Sequence, residues 1–305
     1  SRDGGIRMKA YIVQLFPFME KYKLPVTRDE LMLLMAAINE IFLGIDIYLA
    51  HKISGTIVLR EWIPIIFGPA AGVILLGAGW LARRKRAPAV IIANLVFSAS
   101  ILVGLLGAYY HFVRAILPTA PAGSRVSIQL LVWAPPIVGP LVFSLVGLLG
   151  ISALWRENPV DSGRLQIGPG RHLQLPYSKT SGYFLMVSLG TLATLISSVL
   201  DHARTDFQNP WLWLPVAAGL LGVFTPAVLG LQKSPGRGDI ALHFASMLLL
   251  ILVGVIGALL HVLTNLTSGG VIVTERFIRG APFLAPLLFA NMGALGLISI
   301  LDPQK

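Results

Sequence analysis

Cysteine is absent from the 305-residue chain, which excludes disulfides, thiolate metal sites and iron–sulfur clusters and leaves the compartment open. Charge is scarce as well. Only 12% of residues are Asp, Glu, Lys or Arg, against the ~25% usual in a soluble domain. Hydrophobic residues make up 55% and the mean hydropathy is +0.76. That balance excludes a soluble globular core and reads as a polytopic membrane protein. Missing too are a phosphate-binding glycine loop, a His-Glu-x-x-His helix, a Gly-x-Ser-x-Gly elbow and an EF-hand loop, so no motif assigns nucleotide, zinc-protease, esterase or calcium chemistry. The first apolar run follows Thr27-Arg28-Asp29-Glu30 with no charged–apolar–small segment before it, and no signal peptide is expected.

The net charge of +10 is distributed by segment. The arm before residue 30, Arg83-Arg84-Lys85-Arg86, the 155–180 stretch, Lys233 with Arg237, and Lys305 hold most of the basic residues. The alternate loops carry only Lys52, Arg60, Arg114, Arg125, Arg204, Arg276 and Arg279. The positive-inside rule makes the first set cytoplasmic. The expected partner of the charge is therefore the lipid bilayer of a plasma (inner) membrane, not nucleic acid, and both termini are expected to be cytoplasmic.

Eight apolar runs lie near 31–50, 62–82, 88–112, 131–154, 182–200, 212–231, 240–264 and 281–301. Each approaches the ~20 residues that cross a ~30 Å hydrocarbon core, and backbone in lipid must satisfy itself as helix. The chain is expected to be an all-α polytopic membrane protein. Its expected units are an amphipathic cytoplasmic arm (1–29), a first four-helix repeat (30–155), a cytoplasmic linker (156–181), a second four-helix repeat (182–301) and a tail (302–305).

The repeat is read from the residues themselves. Gly104-Leu-Leu-Gly-Ala-Tyr-Tyr-His111 returns as Gly254-Val-Ile-Gly-Ala-Leu-Leu-His261. Trp62-Ile-Pro64 with Gly68 returns as Trp213-Leu-Pro215 with Gly219, and His51 as His202. Ala134-Pro135 with Pro140 and Phe143 returns as Ala281-Pro282 with Pro286 and Phe289. Four helices per copy bring the second copy in from the same side, so the repeats are parallel.

Parallel copies put His51, His111, His202 and His261 at one extracytoplasmic level. Paired imidazoles there point to haem, copper or zinc ligation. Gly104, Gly107, Gly254 and Gly257 share the face below the histidines, where small residues admit either a flat cofactor or a neighbouring helix. The first helix holds Glu40 and His51 on one face and Asn39 with Asp46 on an adjacent one, and the fifth holds Thr191, Thr194, Ser198, Asp201 and His202 in a stripe. Carboxylates at membrane depth are expensive and usually face protein or water. Glu40, Asp46, Asp201, Thr191 and Ser198 therefore trace either a proton or ion path or hydrogen bonds that fix packing. His243 sits five turns before His261 and reads as a lone histidine at a helix entrance. Asn265-Leu-Thr267 fits a glycosylation triplet.

The expected function is a membrane subunit that binds a redox cofactor or metal, haem or copper, through the extracytoplasmic histidines. It would not be an enzyme on its own but would join other membrane subunits in an electron-transfer or oxidoreductase complex. The alternatives are a transporter or permease with a polar path at the repeat interface, and a non-catalytic scaffold subunit.

Overall fold

The computed structural model describes residues 11–302 apart from 23, 54, 56, 118, 119, 169 and 268. About 74% of it is helical. In chain order the α-helices are α1 (Tyr11–Leu15), α2 (Arg28–Ile53), α3 (Trp62–Ala82), α4 (Arg86–Ala115), α5 (Ile128–Trp133) and α6 (Val138–Leu154). After a small sheet come α7 (Lys179–Ala203), α8 (Trp213–Leu231), α9 (Arg237–Asn265), α10 (Thr274–Arg279) and α11 (Leu287–Ser299). Six of them, α2, α3, α4, α7, α8 and α9, are long and apolar enough to cross a membrane. Ile91, Leu95 and Leu102 on α4, with Leu252, Leu259 and Leu263 on α9, lie exposed on the outer faces. Such a surface suits hydrocarbon and not water, and the fold class is an all-α multi-pass membrane protein.

Helix starts follow local chemistry. Thr27 and Glu30 form a capping box before α2: the Thr27 amide donates to Glu30 Oε2 at 2.7 Å and the Glu30 amide to Thr27 Oγ1 at 3.2 Å. Ser178 caps α7 by accepting from the Ser181 amide at 3.1 Å. The fourth and eighth apolar runs depart from the expectation of unbroken helices over 131–154 and 281–301. Proline lacks an N–H and pushes the residue before it out of the helical region, so Pro135 and Pro136 separate α5 from α6, and α11 starts only after Pro286. α6 has 17 residues and α11 has 13, which span about 25 and 20 Å.

Each half packs the same way. In the first, α2 lies on α3 and α6, and α4 on α6 and α3; in the second, α7 lies on α8 and α11, and α9 on α11 and α8. Gly147 abuts the Phe97 carbonyl and the Ile101 side chain, and Gly293 abuts the Met247 carbonyl and the Ile251 side chain. The halves meet where α6 touches α7 and α11 touches α2. The core there includes Met32, Leu149, Tyr183, Val187 and Met292.

The 156–181 segment is more ordered than a plain linker. It folds into an antiparallel sheet of β1 (Arg156–Glu157), β2 (Arg164–Gly168) and β3 (Arg171–Gln174) in that order. Gly163 and Gly170, at φ +71° and +67°, turn the chain where a side chain would be strained. The arm is not spread on a free surface either. Its α1 docks under the second half, with the Ile12 amide donating to the Ile300 carbonyl at 3.0 Å, Tyr11 on Phe184 and Phe16 on Phe244.

Candidate functional site

The polar residues fall into three layers along the bundle: a histidine end, a middle, and an end beside the sheet. At the histidine end, His51 at the close of α2 and His111 at the close of α4 have ring centroids 6.1 Å apart. His202 and His261 lie close enough for their charges to interact. The sequence-predicted pairs are thus brought together within each half.

Their hydrogen bonds explain why they stand there. His111 Nδ1 donates to the Pro136 carbonyl at 2.8 Å, and His261 Nδ1 to the Pro282 carbonyl at 3.0 Å. These carbonyls sit at the proline breaks, where the Gly139 and Ala285 amides reach them at 3.3 and 3.2 Å, and each histidine adds a second donor that ties its helix to the break. His51 Nδ1 donates to Ile47 O at 2.8 Å. Nδ1–H donation leaves the lone pair of a neutral ring on Nε2. The glycine stripes below are filled by helix. A Cβ on Gly104 would meet Ser144 and the Pro140 carbonyl, and one on Gly254 would meet Ala290 and the Pro286 carbonyl. Gly107 and Gly257 face the Pro140 and Pro286 rings in the same way. Of the two uses open to those glycines, close helix packing occupies the space. Among the described residues, no three His, Asp or Glu side chains meet as a metal-holding group.

In the middle layer Glu40 is completely buried. Its Oε1 stands 2.5 Å from Ser100 Oγ, which is also 2.9 Å from the Phe143 carbonyl. One hydroxyl hydrogen cannot serve two acceptors. Both contacts are satisfied when Glu40 carries a proton and donates to Ser100, which donates onward to Phe143. Glu40 Oε2 has no partner. In register with Glu40, the second half has Thr191, whose Oγ1 donates to its own helix at Val187 O, 2.8 Å away. Thr191 packs beside Gly222, and Leu250 takes the place of Ser100. Thr194 likewise bonds its own helix, at Gly190 O, and Ser198 lies 3.4 Å from His202 Nδ1.

Beside Glu40, on the adjacent face of α2, a cavity of about 150 Å³ lies between α2, α6, α11 and the segment leading into α11. Asn39, Asp46 and Asn291 supply its polar wall, and Ile38, Phe42, Val142 and leucines the rest. Asn39 is 8% exposed and its amide nitrogen has no partner. Asp46 feels the charge of Asp201 on α7. No family model, curated protein or solved structure matches the chain. The site is therefore read from its own chemistry.

Beside the sheet, α2 and α7 cross-link at their first turns. Arg28, 1% exposed, donates from Nη1 to Thr180 Oγ1 at 2.7 Å, and its guanidinium lies over the Tyr183 ring. Lys179 Nζ pairs with Asp29 at 2.6 Å, and Tyr183 donates its hydroxyl to the same carboxylate at 2.7 Å. Thr180 donates to Asp161 and the Lys179 amide to Glu157, which ties in the sheet. Sequence reading assigned Arg28 and Lys179 only to the positive side of the membrane and missed this network. It also missed Ser100 and Asn291, single polar residues inside long apolar runs.

Two further expectations are corrected by burial. His243 is not at a helix entrance: it is fully buried, its Nε2 3.1 Å from Gly296 O and its ring against Phe184. Asn265 is no glycan acceptor in this fold. It is 2% exposed, and its side chain donates to Ala281 O at 2.8 Å and accepts from the Ala281 amide at 2.9 Å.

Proposed function

We propose that the chain is a permease for a small cation, with its path at the junction of two parallel four-helix repeats. The observation that carries this reading is the 150 Å³ cavity walled by both halves, with Asp46, Asn39 and Asn291 on it and Glu40 at its flank. Asp201 and Ser198 lie on α7 toward the histidine end, Ser198 3.4 Å from His202 Nδ1, while Thr191 packs beside Gly222. Pumps and transporters place ionisable groups at such interior positions, and repeat interfaces are where transporter sites sit.

The repeat reading itself has support from exchanged contacts. Arg28 and Lys179 are in register, as are Asp29 and Thr180. Arg28 bonds Thr180 and Lys179 bonds Asp29, the reciprocal pattern of an interface about a two-fold axis. In this reading α5 with α6, and α11 with the segment before it, complete eight passages, and the broken backbone stays within protein. The basic segments put the sheet and both termini on the cytoplasmic side of a plasma membrane.

The test is flux. Purified protein in proteoliposomes should dissipate an imposed cation or proton gradient, and Asp46→Asn should abolish this with normal insertion. Gradients that persist as in empty vesicles would sink the permease. Topology is tested separately by labelling a single cysteine at Lys85, which should be unreactive from outside intact cells.

A second reading keeps the chain as a haem- or copper-binding subunit of a redox complex, with other membrane subunits as partners. The convergence of His51 and His111 at 6.1 Å favours it. A Soret band or stoichiometric copper in protein purified from its native membrane would support it; a spectrum and metal content no different from His111→Ala would oppose it.

A further inference from the structure

We infer that the Asn39–Asp46–Asn291 cavity binds a partly hydrated alkali-metal cation. This names the substrate class of the proposed permease and rests on the repeat reading. The decisive observation is an asymmetry between the two junctions. Where α2 meets α11 the wall carries Asn39, Asp46 and Asn291. In register, where α7 meets α6, the chain has Gly190, Ser197 and Leu145. There Gly190 is closed over by the Leu145 and Met292 side chains. The same junction therefore packs without an amide or a carboxylate, and packing does not explain the polar set.

The chemistry of that set selects the ligand. One carboxylate and two amide oxygens are hard oxygen donors, which suit hard cations and not soft ones. Among the described residues Asp46 has no ion-pair partner, and no Lys, Arg or His lines the cavity. An ionised carboxylate in a largely apolar cavity needs a counter-charge, and one carboxylate on the wall matches a single positive charge. The volume of about 150 Å³ exceeds a bare ion and holds roughly five waters at ~30 Å³ each. The Asn39 amide nitrogen, 92% buried with its residue and unpartnered, finds its acceptor in one of those waters.

The experiment uses the full chain in detergent. Thermal unfolding midpoints are compared in NaCl, KCl and choline chloride at equal ionic strength, alongside equilibrium binding of radiolabelled Na⁺. Sodium or potassium should raise the midpoint over choline, and labelled Na⁺ should bind saturably. The triple variant Asn39→Gly, Asp46→Ser, Asn291→Leu copies the other junction, so it should fold. It should lose the salt-specific rise and at least about tenfold in Na⁺ affinity, a factor worth about 1.4 kcal/mol. Equal midpoints in all three salts with no saturable Na⁺ binding would overturn the inference. So would a folded triple variant that binds Na⁺ like wild type, or a wild type whose midpoint follows pH but neither alkali ion, which would assign the cavity to a proton. Saturable binding without flux in vesicles would leave this site standing and remove only the permease.

Discussion

Glu40 on α2 and Ser100 on α4 stand 2.5 Å apart in the closed interior of the first half, and the same serine hydroxyl reaches Phe143 O on α6. Three helices are joined through one hydroxyl. Ser100→Ala leaves the Glu40 carboxyl buried without a partner, while the Phe143 carbonyl keeps its place in the α6 helix, and the loss should cost about 1–3 kcal/mol, seen as a lower unfolding midpoint. Glu40→Gln keeps a donor toward Ser100 and should hold the midpoint within about 1 kcal/mol of wild type. The carbonyl-stretch band of a protonated carboxyl should vanish from the infrared spectrum of that variant. A band that is absent already in wild type would show that Glu40 is ionised.

His111→Ala and His261→Ala should each destabilise by about 0.5–1.5 kcal/mol, because each removes one inter-helix hydrogen bond while the Pro136 and Pro282 carbonyls keep the Gly139 and Ala285 amides. Gln at either position offers a replacement donor and should recover part of the loss. Insertion should be unaffected, since apolar length decides it. Unfolding midpoints unchanged in both alanine variants would remove the histidines' role at the proline breaks.

Gly104→Leu and Gly254→Leu should disrupt the fold far more than the same change at Gly77, whose Cβ direction is open. The first two glycines admit the backbone of α6 and of α11, and overpacking there costs roughly 1–3 kcal/mol or more. Proper folding, read from detergent-resistant monodispersity, should survive only in Gly77→Leu.

The parts of this fold written in the sequence are those carried by composition and by repetition. Apolar length predicts eight spans, of which six are long helices. The parallel repeat, with its duplicated Gly-x-x-Gly-x-x-x-His octet, predicts that His51 lies level with His111 and His202 with His261, the first pair having ring centroids 6.1 Å apart. What the octet leaves open is the neighbour: a glycine stripe is equally open to a ring or a helix, and only the position of Pro140 and Pro286 across from it decides. Proline pairs erase helix in runs whose hydropathy stays high, which is why 131–154 and 281–301 look like ordinary spans. Arg28 and Lys179 are illegible for another reason. Their partners lie about half a chain away, and a basic residue at a helix start reads as a positive-inside flank whether it faces lipid headgroups or a buried carboxylate.

Among the described residues Lys179 and Asp29 form an ion pair between the halves, Lys179 being almost wholly enclosed and Asp29 about three-quarters so. Without the lysine Asp29 keeps the Tyr183 hydroxyl at 2.7 Å and the Arg28 guanidinium at 3.8 Å, so Lys179→Met should cost less than the ~3–5 kcal/mol of a stranded buried charge. Asp29→Asn alone strands Lys179 and takes the carboxylate from Arg28, so it should cost more than Lys179→Met, and adding Lys179→Met to it should recover part of the loss. A double-mutant cycle on unfolding free energies checks this, and a coupling below ~0.5 kcal/mol would make the contact incidental.

Tyr11 sets an upper pH limit on docking of the arm. Burial against Phe184 pushes its hydroxyl above the ordinary value near 10, the Asp161 charge pushes it the same way, and Arg28 opposes both. A docked Tyr11 therefore holds its proton at pH values where the free arm gives its proton up. Docking is at full strength below about 10 and weakens as pH climbs from there through the raised value. A fluorophore on a single cysteine at Phe18, an exposed position, should report release of the arm across that alkaline window. Tyr11→Phe has no proton to lose and keeps the ring on Phe184, so its arm should stay docked to higher pH. Release at the same pH in both proteins would assign the transition to other groups and leave Tyr11 a packing residue alone.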